Sequence, residues 1–161
     1  MLDTYFGFDL ENIRQRISEI YDDRLSRANK GRGFHNCAGF VKYLLGLSQK
    51  DGFVNPNDSS SKGLLFYLDQ IFELELTNFN EKDWVTMAKQ SDAVALLHND
   101  SGKWQYLHFF VPSPKLSMPF EVYQRGDFEE EYANIEDIRE IIWDNAYSGD
   151  TRLIFFRQKN K

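Results

Sequence analysis

The sequence predicts an α+β fold in which helices come first and an antiparallel sheet with one late helix follows. Apolar residues recur at helical spacing in the first half of the chain. From residue 92 onward the pattern changes to alternation, and turn signals separate the segments, as in strands joined by hairpins. No repeat, low-complexity segment or linker divides the 161 residues, so we expect a single domain over residues 1–161.

Composition and charge exclude several classes of protein. The 42% hydrophobic and 27% charged residues are typical of a globular chain, and the net charge of -6 gives no basic surface for nucleic acid. The single cysteine excludes an internal disulfide and a multi-cysteine zinc site, and no cofactor is expected. The first residues, Met-Leu-Asp-Thr-Tyr-Phe, do not have the basic start and long apolar core that are typical of a secretion signal, and no apolar run approaches membrane-spanning length. We expect a cytoplasmic protein without a membrane partner, although a specialised secretion route would leave no signal of this kind.

The first half of the chain is predicted to be helical. Residues 9–27 form an amphipathic accessory helix, and residues 48–62 form a polar loop. A second helix is expected over 62–75, with Ile71 and Phe72 on its buried face. A third helix, capped by Asn80, is expected to reach about residue 89.

The second half is predicted to supply the sheet. Residues 92–98 and 103–111 form a hairpin around the turn signal Asn-Asp-Ser-Gly at 99–102. Residues 120–125 form a third strand, and a closing strand covers 151–158. Between them, a helix capped by Asn134 is expected over 135–147.

The chain is organised around a glycine-rich loop that runs into a short buried helix within residues 33–47. Asn36 is the predicted N-cap, Cys37 falls in the first turn, and Gly46 is the predicted stop. The amide dipoles at a helix N-terminus stabilise a thiolate, and nearby free amides can hold an oxyanion. These features favour a nucleophilic cysteine. The alternative is that Cys37 is a small buried core residue.

A nucleophilic cysteine needs a base, and His108 in the strand 103–111 is the predicted one. Strand alternation places its side chain on the face of Trp104, Tyr106 and Phe110. A hairpin loop of two or four residues would place two small side chains on that same face, leaving room for a helix: Ala93 and Ala95. A loop with an odd number of residues would invert this arrangement. The alternative is that His108 is a core histidine with both ring nitrogens satisfied.

Residues 36–43, Asn-Cys-Ala-Gly-Phe-Val-Lys-Tyr, resemble the Asp-Cys-Ser-Gly-Phe-Val motif of the NlpC/P60 papain-like cysteine peptidases, and are similar to the related CHAP amidases. In these families the cysteine begins a helix that packs on an antiparallel sheet. Residues 91–96 resemble the strand that follows, and residues 108–111 resemble the strand with the catalytic histidine. The resemblance covers residues 34–157 and implies a papain-like NlpC/P60-type fold.

The resemblance also implies a mechanism. Cys37 would attack an amide carbonyl, His108 would transfer the proton, and Gln124 would orient His108. Glu121 ranks below Gln124 because a regular strand points it to the opposite face. The implied substrate is a peptide or γ-glutamyl-type amide, as in cell walls. Acyl transfer or deamidation would use the same residues.

Four further residues are predicted to line the substrate-binding site: His35, Asn36, Ala38 and Tyr106. His98 lies next to the hairpin turn, and strand alternation separates it from His108, so no metal site is expected. An alternative of a different class stays open: a catalytically inactive papain-like scaffold that binds a protein or a ligand.

Overall fold

A six-stranded antiparallel sheet forms the centre of the computed structural model. The model describes residues 4–5, 8–9, 12–13, 15–19, 36–49, 52–56, 63–76, 81–113, 120–124, 134–145 and 151–159. Among these residues the strand order is β3-β8-β4-β5-β6-β7, and every neighbouring pair is antiparallel. The strands are β3 Leu68–Glu75, β4 Ala93–Asp100, β5 Lys103–Pro112, β6 Glu121–Gln124, β7 Asn134–Asp137 and β8 Thr151–Gln158. A separate two-stranded sheet pairs β1 Thr4–Tyr5 with β2 Phe8–Asp9.

Helices cover both faces of the large sheet, so the predicted α+β class is confirmed. The helices are α1 Cys37–Leu44, α2 Glu81–Ala88 and α3 Ile138–Asn145, with a 3-10 helix at Leu64–Tyr67. Residues 12–13 and 15–19 are also helical, within the predicted helix 9–27, but Asp9 belongs to β2. The rest of that predicted helix lies outside the described residues.

Two hydrophobic clusters lie on opposite faces of the sheet. On the face that we call the α1 face, α1 packs against a first cluster of sheet residues that includes Ala93, Ala95, Phe109, Val111 and Tyr123. On the α2–α3 face, both other helices pack against a second cluster of sheet residues that includes Val94, Leu96, Phe110, Val122 and Leu153. Because neighbouring residues of a strand point to opposite faces, these two sets interleave along β4.

The ends of α1 follow from its sequence as predicted. The Asn36 side chain accepts a hydrogen bond from the Gly39 amide at 2.9 Å, which caps the N-terminus. At the C-terminus, the Gly46 amide donates to the Tyr43 carbonyl and the Leu47 amide donates to the Lys42 carbonyl. Gly46 has φ of 76°, which glycine adopts readily, and this completes a Schellman motif.

The prediction of a helix over 62–75 is wrong, because a 3-10 turn is followed there by the edge strand β3. The pairing of β3 with β8 shifts between Gln70 and Phe72, so Ile71 is an extra residue in the ladder. Ile71 and Phe72 consequently both pack against the second cluster. This irregularity hides the alternation of a strand and gives the apolar residues a helical spacing.

The helix predicted over 135–147 begins later than expected. Residues Asn134–Asp137 form β7, which pairs with β6, and α3 starts at Ile138. Asp137 caps α3 in place of the predicted Asn134, since its carboxylate accepts a hydrogen bond from the Arg139 amide at 2.9 Å.

Most of the other predicted elements are confirmed. Helix α2 lies within the third predicted helix and buries Trp84 completely, whereas the predicted cap Asn80 lies outside the described residues. The β4–β5 hairpin turns through Ser101 and Gly102, whose φ values of 54° and 84° match a type I′ turn. The described parts of the loop predicted over 48–62 contain no helix or strand. None of the described helices has the length and apolarity that a membrane crossing requires.

The N-terminal helical residues contact α1 through polar groups, beside the apolar side chains of Ile13 and Ile17 that pack with the first cluster. The Tyr43 hydroxyl donates a hydrogen bond to the Glu19 carboxylate, and the Arg16 guanidinium lies 4.9 Å from the centre of the Tyr43 ring. The hydrogen bond from Tyr43, with a further one from Gln15, holds the pKa of Glu19 below its ordinary value of 4.5.

We expect this contact to make stability depend on acidity. The Glu19 pKa is lower in the folded state, so its stabilisation is present above pH 4.5 and is lost as the pH falls through the folded-state value. The Tyr43→Phe variant removes the donor, and its loss of stability should therefore be larger at pH 6 than at pH 3. Urea unfolding at both pH values measures the difference. An equal loss at the two pH values would contradict the role of Glu19.

Candidate functional site

Cys37 is the first residue of α1 and belongs to the first cluster. Its side chain is 8% exposed and is in neither a disulfide nor a described metal group. Helix α1 contacts β5 and β6, so the start of the helix faces the sheet and not the solvent. The predicted position of the cysteine at a helix start is confirmed, while its role as nucleophile stays a prediction.

Asn36 ties the start of α1 to the loop at residues 52–56. Its side-chain oxygen accepts hydrogen bonds from the amides of Gly39 and Val54, at 2.9 and 3.1 Å. Its side-chain nitrogen donates to the Val54 carbonyl at 2.6 Å. Asn36 is buried, and both the oxygen and the nitrogen of its side-chain amide are hydrogen-bonded. This predicted site residue therefore also holds the loop against the start of α1.

Gly39 brings the backbone of α1 into contact with the same loop. A Cβ atom at this position would lie 1.6 Å from the Gly52 carbonyl oxygen and 2.7 Å from its carbonyl carbon. A clash with backbone cannot be relieved by a side-chain rotation, so residue 39 must be glycine for the loop to pack as it does. By contrast, a Cβ at Gly52 would meet nothing within 4 Å.

His108 and Gln124 are brought together as the sequence predicts. The His108 Nε2 atom and the Gln124 Oε1 atom are 2.9 Å apart, within hydrogen-bond distance. If this nitrogen carries the proton, it donates to the amide oxygen. The His108 ring also lies 5.0 Å from the Phe110 ring, between centroids. Whether Gln124 orients a catalytic base stays a prediction.

A β-bulge in β5 changes which face His108 occupies. In the pairing of β4 with β5, Leu96 pairs with His108 and Leu97 pairs with Tyr106, so Leu107 is the extra residue. The predicted common face is therefore wrong. Tyr106 packs with the first cluster, whereas His108 points with Phe110 to the α2–α3 face.

The same bulge overturns the predicted relation of His108 to the small residues of β4. The hairpin loop has two residues, as the prediction required, but the extra residue reverses the alternation beyond it. Ala95 pairs with Phe109, and both belong to the first cluster. The sheet therefore lies between the cluster that holds Cys37 and the face that His108 occupies.

The neighbours of Gln124 follow the same division. Gln124 is two residues from Val122, which belongs to the second cluster, so its side chain shares the face of His108. Glu121 is two residues from Tyr123 of the first cluster and points to the α1 face. The predicted separation of Glu121 from Gln124 is thus confirmed, but Glu121 is the one on the side of Cys37.

The remaining predicted site residues lie in different surroundings. Ala38 is completely buried, and Tyr106 is half-buried against Phe109 on the α1 face, with ring centroids 5.3 Å apart. Burial raises the pKa of the Tyr106 phenol, and the charge of Glu73 acts in the same direction. His35 lies outside the described residues. Their predicted roles in substrate binding stay predictions.

The bulge also corrects the prediction that strand alternation separates His98 from His108. His98 is two residues from Leu96 and pairs with Gln105, so it points to the α2–α3 face, as His108 does. Even so, nowhere in the described ranges do three or more His, Cys, Asp or Glu side chains come together as a metal site would need.

Sequence reasoning did not find the loop partners of the cysteine motif. Gly52 and Val54 act through backbone groups, and such contacts leave no side-chain pattern in a polar loop. The sequence also did not predict that the Ser113 hydroxyl is buried without a hydrogen-bond partner in the described part of the chain. The only sequence signal for its surroundings is Pro112, which ends the strand just before it.

The comparisons with known proteins assign no family. No family model, no curated protein and no solved structure matches this chain.

The contact at Gly39 predicts a large difference between two glycine-to-alanine variants. Gly39→Ala should lower the free energy of unfolding by about 1–3 kcal/mol, because the new methyl group overpacks against the Gly52 backbone. Gly52→Ala is the matched control and should change stability little. Urea unfolding of both variants measures the difference. Equal stabilities would show that the loop does not pack against α1.

The hydrogen bonds of Asn36 predict the effect of replacing it with aspartate, the residue that the NlpC/P60 motif has at this position. Asn36→Asp keeps the acceptor but removes the donor to the Val54 carbonyl and places a charge beside it. We expect a loss of about 1–3 kcal/mol in the free energy of unfolding at pH 7. The loss should shrink as the pH falls and the new carboxyl becomes a donor. A variant as stable as the parent at pH 7 would contradict this role of Asn36.

Proposed function

We propose that this chain is a non-catalytic binding module built on a papain-like α+β scaffold. The observation that supports the proposal is the position of Cys37 and His108 relative to the sheet. Cys37 belongs to the first cluster on the α1 face, and the His108 side chain lies on the α2–α3 face beside Phe110.

Geometry decides whether a histidine can activate a thiol. A general base must come within hydrogen-bond reach of the proton that it removes, directly or through one water. In this register the His108 side chain points with Phe110 to the face of the sheet opposite the cluster that holds Cys37, which argues against such a contact. For His108 to serve as the base, the second half of β5 would have to shift its register by one residue.

The residues that resemble a catalytic motif have structural tasks that account for their presence. Asn36 caps α1 and holds Val54, while Gly39 allows the close contact with Gly52. Asp92, in the segment that resembles the second family motif, is buried and accepts a hydrogen bond from the Gln158 amide at 2.9 Å. A scaffold can retain such residues after its chemistry is lost.

The papain-like part of the proposal rests on chain order and placement. A helix that begins at the cysteine packs on an antiparallel sheet, and the histidine strand follows later in the chain. This is the arrangement that the NlpC/P60 resemblance implies. The six-stranded antiparallel sheet is compatible with that family without being specific to it.

Two observations favour a second candidate, a cysteine hydrolase that cleaves a peptide or γ-glutamyl-type amide. The His108–Gln124 hydrogen bond is the contact that a triad needs to fix the imidazole, and Cys37 begins a capped helix. This candidate requires a base other than His108 on the α1 face, or a different register of β5. Acyl transfer and deamidation carry the same requirement.

Alkylation of Cys37 separates the two candidates. We expect iodoacetamide to react with the native protein more slowly than with the urea-unfolded chain, because the thiol is buried. The rate should be unchanged in His108→Gln. That variant keeps an amide that can bond Gln124, and His98→Gln is the matched control.

The opposite result would support the hydrolase. Native labelling faster than that of the unfolded chain at neutral pH, lost in His108→Gln and kept in His98→Gln, would overturn the proposal. Thermal unfolding of each variant, followed by far-UV circular dichroism, verifies that changes in rate do not arise from unfolding.

A further inference from the structure

Helix α3 leaves a large aromatic side chain in solvent. Ile138 and Ile141 are buried in the second cluster, whereas Trp143 is 84% exposed. Trp143 lines an open pocket of about 490 Å³ together with Asp137, Arg139 and Glu140. Residues three and four apart on a helix are neighbours, so Arg139 and Glu140 flank the indole. An exposed tryptophan beside charged groups is a frequent feature of binding sites.

The charges in this pocket are not balanced. Arg139 Nη2 lies 2.6 Å from the Asp137 carboxylate, and Arg139 Nε bonds the same group at 3.0 and 3.1 Å. Arg139 holds the pKa of Asp137 below its ordinary value, so that carboxyl stays charged and paired. Among the ion pairs of the described residues none involves Glu140, and its carboxylate gives the described lining residues a net negative charge.

The Arg139 side chain also contacts an aromatic ring. Its guanidinium lies 4.4 Å from the centre of the Phe120 ring, on which it stacks while it bonds Asp137. The Arg139 guanidinium is therefore engaged by the Asp137 carboxylate and the Phe120 ring. Trp143 and Glu140 are both exposed and line the same pocket, and an indole ring beside a carboxylate attracts a cation by the ring quadrupole and by the negative charge.

We propose that the pocket formed by Trp143 and Glu140 binds a lysine or arginine side chain of a basic partner protein. This inference rests on the proposed function, because it names the class of partner for the binding module. Charge complementarity supports it, since the chain carries a net charge of -6. The pocket is open, which suits the tip of a long side chain on a protein surface.

A fluorescein-labelled tetralysine peptide tests the proposal by fluorescence anisotropy at low salt. We expect saturable binding that weakens about 2- to 5-fold in Trp143→Ala and similarly in Glu140→Gln. Trp143→Phe should lose less than Trp143→Ala, because it keeps an aromatic face. Asp83→Asn removes a carboxylate from an exposed position of α2, and Phe66→Ala removes another exposed ring. Both controls should bind as the parent does.

Several outcomes would overturn the proposal. These are no saturable binding, equal weakening in Asp83→Asn and Glu140→Gln, or no effect of Trp143→Ala. Loss of self-association in Trp143→Ala, seen by sedimentation, would assign the surface to a second copy of this chain instead.

A readout without mutation covers the case in which a variant fails to fold. Titration of the unmodified protein with tetralysine should shift the Trp143 indole N–H signal and leave the signal of the buried Trp84 unchanged. Equal shifts of both signals would count against the pocket. These experiments do not involve Cys37. A reactive Cys37 thiol would therefore contradict the proposed function, whereas the binding of tetralysine tests the pocket separately.

Discussion

The β-bulge at Leu107 is the constraint on which the arrangement of the candidate site depends. It adds one residue to β5 opposite Leu96 and Leu97, and side chains beyond it change face. Phe109 and Val111 are thereby directed under α1, where the first cluster needs large apolar groups. The same change directs His108 to the other face. In this register the residues that pack under α1 and the His108 side chain therefore point to opposite faces of the sheet.

The cysteine motif reads differently once its contacts are known. Asn36, Gly39 and the loop residues Gly52 and Val54 form one unit in which every polar group of the Asn36 amide is used. Such a unit needs asparagine and glycine at a fixed spacing, and the NlpC/P60 motif has aspartate and glycine at the same spacing. A short motif of this kind therefore reports the geometry of a loop and a helix N-terminus more reliably than it reports the chemistry of a thiol.

Elements with strong local signals could be predicted from the sequence. The β4–β5 turn, the ends of α1 and the strand β8 each follow from turn residues, caps or apolar runs. Elements that depend on pairing with strands far along the chain could not be predicted in this way. The extra residue Ile71 gives β3 a helical spacing, and β7 is a strand because it pairs with β6. These choices are made by hydrogen-bond partners far along the chain.

The arrangement of the candidate site could also be predicted only in part from the sequence. The contact between His108 and Gln124 could be predicted, because adjacent strands bring residues on one face together. The face itself could not, since a single inserted residue reverses it and Leu107 carries no turn or glycine signal. The prediction of a Cys37–His108 pair rested on regular alternation through the position where the strand is irregular.

The face occupied by His108 can be measured directly by nuclear Overhauser effects from its imidazole protons. We expect contacts from this ring to the Phe110 ring and to the Gln124 side chain. We expect none to the Cys37 Hβ protons or to the Ala95 methyl group, which lie on the other side of the sheet. Contacts from the His108 ring to either of these groups would show that His108 occupies the α1 face.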